Sequence, residues 1–353
     1  MDTHSPHSVE ASGRGFLLMG LVRILKDWTL PVAIGTGTVL YLVFAYVPML
    51  DGAARKMAPF FDAILPLFMF LILFVTFCKV DFHKLRPKAW HLWVGVFQVV
   101  FIAIMMALIL AYEMTGDTLI LMEALLTCIV APCAAAAPVV TQKLGGDLEG
   151  MTTWTLLSNL ITALAIPLCF ATLVSPQLGG SRQFSSSGDM GWDMNFFISA
   201  FLTILYQVCM VLVLPMMLAY IVKHHFHRLH RRIVSVKDLS YYLWACSLMI
   251  VSGTTVKNIC HADTSAAFLL VIGGLGLVIC IVQFAVGRWI GHYFGSTTEA
   301  GQGLGQKNTA FAIWIAYTYL NPLSSVGPGC YILWQNIINS VEIYGAKKKH
   351  LSA

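Results

Sequence analysis

"IVAPCAAAAPVVTQKLGGD", residues 129–147, interrupts a long apolar run. Pro132 and Pro138 each remove a backbone donor and crowd the preceding helical turn. Thr141, Gln142 and Lys143 then end the run on polar groups. A second interruption lies near the other end of the chain, in "EAGQGLGQKNTAF", residues 299–311. There Gly301, Gly303 and Gly305 alternate with larger residues, each glycine weakening a helix by about 1 kcal/mol relative to alanine. Beside them stand Glu299, Gln302, Gln306, Lys307, Asn308 and Thr309. Irregular backbone at membrane depth persists only where protein or a wet cavity satisfies it. Two interrupted spans in corresponding halves of a chain point to a transporter binding site.

The surrounding composition makes the membrane setting necessary. Of the 353 residues, 58% are hydrophobic and only 11% charged. A soluble domain carries about a quarter charged residues, so lipid must be the solvent of this chain. Windows of about 20 apolar residues give ten spans, near 29–49, 59–78, 90–112, 118–141, 151–174, 195–222, 239–259, 265–291, 297–320 and 322–344. The expected fold is therefore an all-α membrane protein. Residues 1–28 read as an interfacial segment, 29–174 as a first set of five helices, and 175–194 as a Gly/Ser-rich outer linker. Residues 195–344 form the second set and 345–353 a basic tail. Five is odd, so the second set enters the bilayer with the opposite polarity, the geometry of an inverted repeat. Spans four and nine hold the same place in each half.

Lysine and arginine set the orientation. With both termini inside, the outer side holds only Arg55, Lys56, Arg182 and Lys257. The reading is a cell-membrane protein with both termini cytoplasmic. Its basic loops answer to anionic lipid and require no nucleic acid. The nine cysteines lie mostly in apolar runs and read as small packing residues. "KHHFHRLHRR", residues 223–232, is rich in histidine, but a basic loop repels metal cations. No H-E-x-x-H and no paired acidic motif is present, and the chain reads as a non-enzyme.

Lys307 is the costly residue. A charge at the bilayer centre costs about 2.5–3.5 kcal/mol on the mildest scale, so its amine should meet water, an anion or a carboxylate, or be neutral. Snorkelling from a shallow position is the plain alternative. A packing kink is the plain alternative for the prolines, and close helix packing for the glycines. Glu342 reads as interfacial and Asp62 as helix-terminal, while Glu123 faces either the core or the outer surface. A half-helix N-terminus carries about +0.5 charge and attracts anions. Together these features point to a small organic anion as substrate, with Pro132, Pro138, Thr141 and residues 299–309 around it. The oligomeric state is not readable.

"PCAAAAPVVTQKLGGDLEGMTTWTLLSNLITALAIPL", residues 132–168, resembles the fourth and fifth spans of the bile acid–sodium symporter family, with Gly146-Asp147 at the family's turn. "RPKAWHLWVGVFQ" resembles the start of its third span, and "GQKNTAFAIWIAY" the core of its ninth. The resemblance implies a core of spans 3–5 and 8–10 in which broken spans 4 and 9 cross. Spans 1, 2, 6 and 7 form a moving panel, and substrate lies between the two. It also implies sodium-coupled transport, with Gln98, Thr155, Asn159 and Gln302 or Gln306 as sodium ligands. The departures are specific. The family's Ser-Asn pair in span four falls on Ala137 and Pro138. Aligning span nine on Asn308 places Gly303 at the family's acid and Lys307 at its Gln, whereas aligning on Glu299 places Gly303 at that Gln. Sodium takes oxygen ligands and a lysine offers none, so Lys307 standing in for a cation implies proton-linked or uncoupled transport. Auxin-efflux-type carriers share the broken-helix plan and are the second family reading. A transporter-derived sensor is the third.

Overall fold

The computed structural model describes residues 29–47, 49, 51–173, 194–236, 239–260 and 264–352. The expected interfacial segment and outer linker fall almost wholly outside these residues. The described chain is all helical: α1 (Thr29–Tyr46), α2 (Asp51–Cys78), α3 (Ala89–Ala111), α4 (Gly116–Val130), α5 (Ala137–Lys143) and α6 (Leu148–Leu173) come first. α7 (Met194–His225), α8 (His227–Ser235), α9 (Leu239–Cys260), α10 (Ala266–Tyr293), α11 (Thr297–Gly305), α12 (Thr309–Tyr319) and α13 (Val326–Ser352) follow. The helices α3, α6, α7 and α10 are each long and apolar enough to cross a bilayer. This is an all-α membrane protein.

α7 carries one π-turn at Cys209–Val213, just before Pro215. There the Leu214 amide donates to the Cys209 carbonyl five residues back, next to the donor that Pro215 lacks. α8 is short, basic and exposed through Leu229, Arg231 and Arg232. α1 packs along α9, and α2 is flanked by α9 and α7. α10 packs along α11 and α13, and α5 along α6. α13 runs on to Ser352, so the basic residues expected in the tail continue it as helix. Asp62 falls inside α2 and not at its end.

Both interruptions are real breaks, but they are drawn differently from expectation. In the fourth span α4 ends at Val130 and α5 begins at Ala137. Pro132 lies in the break. Pro138 lies in the first turn of α5, where a missing donor costs nothing, so it starts a helix and does not interrupt one. In the ninth span the three glycines sit inside α11, and the break falls after them at residues 306–308. A Cβ on Gly303 would lie 2.7 Å from the Trp154 ring, and one on Gly305 2.3 Å from Phe284. These glycines permit close packing; they do not unwind the helix.

Candidate functional site

The two breaks meet each other. The amide of Asn308 donates to the Pro132 carbonyl at 2.8 Å, and the amide of Ala134 donates to the Gln306 carbonyl at 3.0 Å. Cys133 and Lys307 thus face each other as an isolated antiparallel bridge. Backbone groups released by one break satisfy those released by the other. Two side chains from neighbouring helices complete the set. Ser158 of α6 accepts from the Cys133 amide at 2.9 Å. Gln335 of α13 accepts from the Lys307 amide at 2.8 Å and donates to the Lys307 carbonyl at 3.2 Å.

Each half-helix ending at the crossing leaves carbonyls without helical partners. Side chains supply donors. At the end of α4, Cys128 O accepts from Gln283 at 3.4 Å and Val130 O accepts from Thr162 at 2.9 Å. Ile129 O accepts from both Gln98, at 3.4 Å, and the Lys307 amine, at 3.0 Å. At the end of α11, Gly303 O accepts from the Trp154 indole and Gly305 O from the Tyr331 hydroxyl, both at 2.7 Å. Gln283 also donates to the Tyr331 oxygen at 3.1 Å, linking the two carbonyl ends. Beyond the break Asn308 caps α12, its Oδ1 accepting from Phe311 N at 3.3 Å.

The carboxylates serve the same frame. Glu123 of α4 accepts from Ser324 Oγ at 2.6 Å and from Asn321 N at 3.3 Å, in the turn between α12 and α13. Glu299 of α11 accepts from Asp147 N at 2.6 Å, in the turn between α5 and α6. Each crossing span therefore holds the turn that follows the other. Asp147 in turn bonds Glu149 N and pairs with Lys88 at 2.5 Å. Partial burial pushes the Asp147 carboxyl up, but Lys88 and the Gly150 and Glu149 amides pull harder, and it ends below the usual carboxylate range. Glu342 pairs with Arg288 and accepts from Gln302 Nε2 at 2.8 Å.

The expected site residues thus fall into three groups. Gln98, Pro132, Lys307, Asn308 and Thr309 converge on the crossing, with Gln306 between the strands. Thr155 and Asn159 lie on α6 beside it, Thr155 reaching Cys133 Sγ at 3.8 Å and Asn159 reaching Met216 of α7 at 3.9 Å. Gln302 is held elsewhere, donating to Asn339 at 3.0 Å as well as to Glu342, and Glu299 is engaged by the turn. Thr141 is buried and Pro138 begins α5. Of the two alternatives for the last sodium ligand implied by the resemblance, Gln302 is thus engaged away from the crossing and Gln306 lies at it. The buried oxygens Gln98 Oε1, Asn159 Oδ1 and Gln306 Oε1 have no protein partner. Lys307 is 1% exposed, and no carboxylate among the described residues is within ion-pair distance of it.

Sequence reasoning missed Ser158, Thr162, Gln283, Tyr331 and Gln335. All are polar residues in apolar helices, Ser158 and Gln335 each beside an asparagine, and that was the available signal. The part of the crossing left open is small. Ala134, Ala135 and Asn308 are half-buried, Ala136 is exposed and Val139 is 52% exposed. A groove of about 590 Å³ between α3 and α6 is apolar, lined by Leu92, Val96, Val99, Leu160 and Leu164. It lies on the outward faces of those helices and belongs to the lipid side.

A family model, the Sodium Bile acid symporter family, matches residues 66–262. The match takes in the α4–α5 break and stops before the α11–α12 break. No curated protein matches the chain.

Proposed function

The chain belongs to the sodium bile acid symporter family, whose members are transporters and not enzymes, and from that premise we propose that it carries a small organic anion across the cell membrane by alternating access. The meeting of the two breaks, 132–134 against 306–308, is the observation that carries this reading. Two half-helices end on the crossing and two begin there. α12 starts at Thr309 with its positive end toward the crossing, a setting that favours negative charge. The accessible residues Ala134, Ala136, Val139 and Asn308 offer a small, mostly apolar wall to a substrate. Lys307 does not face that wall. Its amine is turned to the carbonyl end of α4.

The proposed architecture is two inverted five-helix repeats, 29–174 and 195–344, with both termini cytoplasmic. The reciprocal Glu123 and Glu299 contacts support it, since a pseudo-twofold axis would exchange them. The packing of α1, α2, α7 and α9 on one another supports a panel moving against the crossing core. Asn159 on Met216 is one place where the two touch.

On coupling, two readings have observations behind them. Gln98, Asn159 and Gln306 keep unpaired oxygens that can bind a sodium co-substrate. The Lys307 amine favours carriage that needs no soluble cation at the crossing.

The test begins with thermal-shift screening of the purified protein against carboxylated and sulfonated organic acids, in sodium, potassium or choline salts. A stabilising acid is then followed in proteoliposomes. Saturable uptake with counterflow is the expected result. Binding without flux would replace the carrier with a sensor, and an absence of anion selectivity would remove the substrate class.

A further inference from the structure

The end of α4 is a cluster of carbonyls buried in the core, and the donors that meet it are not alike. Gln283, Gln98 and Thr162 are neutral. Lys307 is the basic one. It crosses from the facing strand to reach Ile129 O at 3.0 Å. A helix C-terminus carries about −0.5 charge, so this is a place where positive charge is stabilised without a carboxylate. An ammonium taken from water into a protein interior loses several kcal/mol of solvation, and carbonyl oxygens at a helix end are one of the few neutral groups that offset it.

The lysine is also held. Gln335 bonds both its amide and its carbonyl, and the flanking residues are bonded to the opposite break. The side chain cannot leave Ile129 by a backbone swing unless those bonds break first. Gln98 donates to the same oxygen while its own Oε1 is buried and unpartnered. A small cation placed where the Lys307 nitrogen sits would meet Ile129 O and, on rotation of the Gln98 amide, Gln98 Oε1 as well.

We propose that the carbonyl end of α4 is a monovalent-cation site that the chain fills itself, with the Lys307 ammonium as a tethered occupant. The functional consequence rests on the carrier reading: the crossing keeps its positive charge throughout the cycle, and the anion moves without a soluble sodium ion at this position. The site is latent. Removing the lysine exposes it to small cations from solution.

The experiment measures thermal unfolding of the full-length protein in detergent, in chloride salts of sodium, potassium, methylammonium and choline at equal ionic strength. Wild type should melt at the same temperature in methylammonium as in choline. Lys307→Ala should melt lower in choline and recover by about 2 °C or more in methylammonium, whose head group and single carbon fit the emptied space. Lys307→Met refills the stem volume without charge or donor and should stay below wild type in every salt. The proposal is overturned if Lys307→Met melts like wild type, because only the stem then matters. It is overturned equally if Lys307→Ala shows no preference for any small cation over choline. Should neither variant fold, wild type still decides, since selective stabilisation by methylammonium over choline would show that the carbonyl end of α4 is open to a soluble cation. No arm uses a substrate, so failed uptake in liposomes would remove the carrier and leave this site standing.

Discussion

The two breaks at the centre of this protein do one backbone job with opposite chemistry. The α4–α5 break is proline, cysteine and alanine: apart from Cys133, which Thr155 reaches, Pro132 and residues 134–136 contribute main chain and little else. The α11–α12 break is Gln306, Lys307 and Asn308, and each side chain has a place. Lysine reaches a carbonyl end and asparagine caps the next helix. A crossing of two interrupted helices needs both strands for its hydrogen bonds. It needs only one to carry charge, and the other can stay small enough to leave room beside it.

That asymmetry extends to the supports, and the largest expected effect lies there. Gln335→Leu leaves the Lys307 amide unpaired in a buried site, at about 1–3 kcal/mol, and takes from the Lys307 carbonyl one of its two donors, the other being the Thr309 amide. Its thermal unfolding should fall further than that of Glu123→Ala, Ser158→Ala or Asp147→Asn. If it melts like wild type, the ninth-span break is not held by α13. Glu123→Ala removes an acceptor from Ser324 and Asn321 together and should cost about 2 kcal/mol. Glu123→Gln, which keeps an acceptor, should recover most of that in the same measurement. Equal losses for the two would show that the charge matters more than the bond. Ser158→Ala deprives one buried amide, Cys133 N, and should cost about 1–2 kcal/mol. A loss larger than that of Gln335→Leu would reverse the ranking of the two breaks.

The smallest effect is expected at the surface. Asp147 is about a third exposed and pairs with Lys88, so Asp147→Asn should cost less than about 1 kcal/mol. Its pH dependence is the sharper readout. The folded protein lowers the Asp147 pKa, so its contribution is present above the ordinary carboxylate range and lost as pH falls through the lowered value. Unfolding of wild type and Asp147→Asn should differ at neutral pH and converge in acid. Curves that stay parallel down to acid pH would remove the linkage.

Much of this is legible in the sequence. Apolar runs mark the helices, and the two irregular stretches mark where they break. Individual signs are visible but ambiguous. Pro138 reads as an interruption, yet a proline is equally at home in a first helical turn. The glycines of 301–305 look like unwinding residues, yet they let Trp154 and Phe284 approach α11. Both misreadings arise because proline and glycine have two structural uses, and only the neighbours show which applies. Glu299, Gln302 and Glu342 mislead for a related reason. A polar residue in an apolar span announces that it needs a partner and does not say which.

The amino-acid sequence by itself determined that this chain lives in lipid, that it is helical, and that two apolar stretches are interrupted. Those properties follow from composition and local backbone chemistry, which neighbouring residues in the chain settle among themselves. Only the tertiary structure decided that the breaks bond to each other, that Gln335 and Ser158 complete them, and that the Lys307 amine meets the carbonyl end of α4. The bonds between the breaks and from Lys307 to Ile129 join residues more than a hundred positions apart, and Gln335 and Ser158 reach in from other helices; all depend on how helices pack, and helix packing is written in shape and not in local pattern.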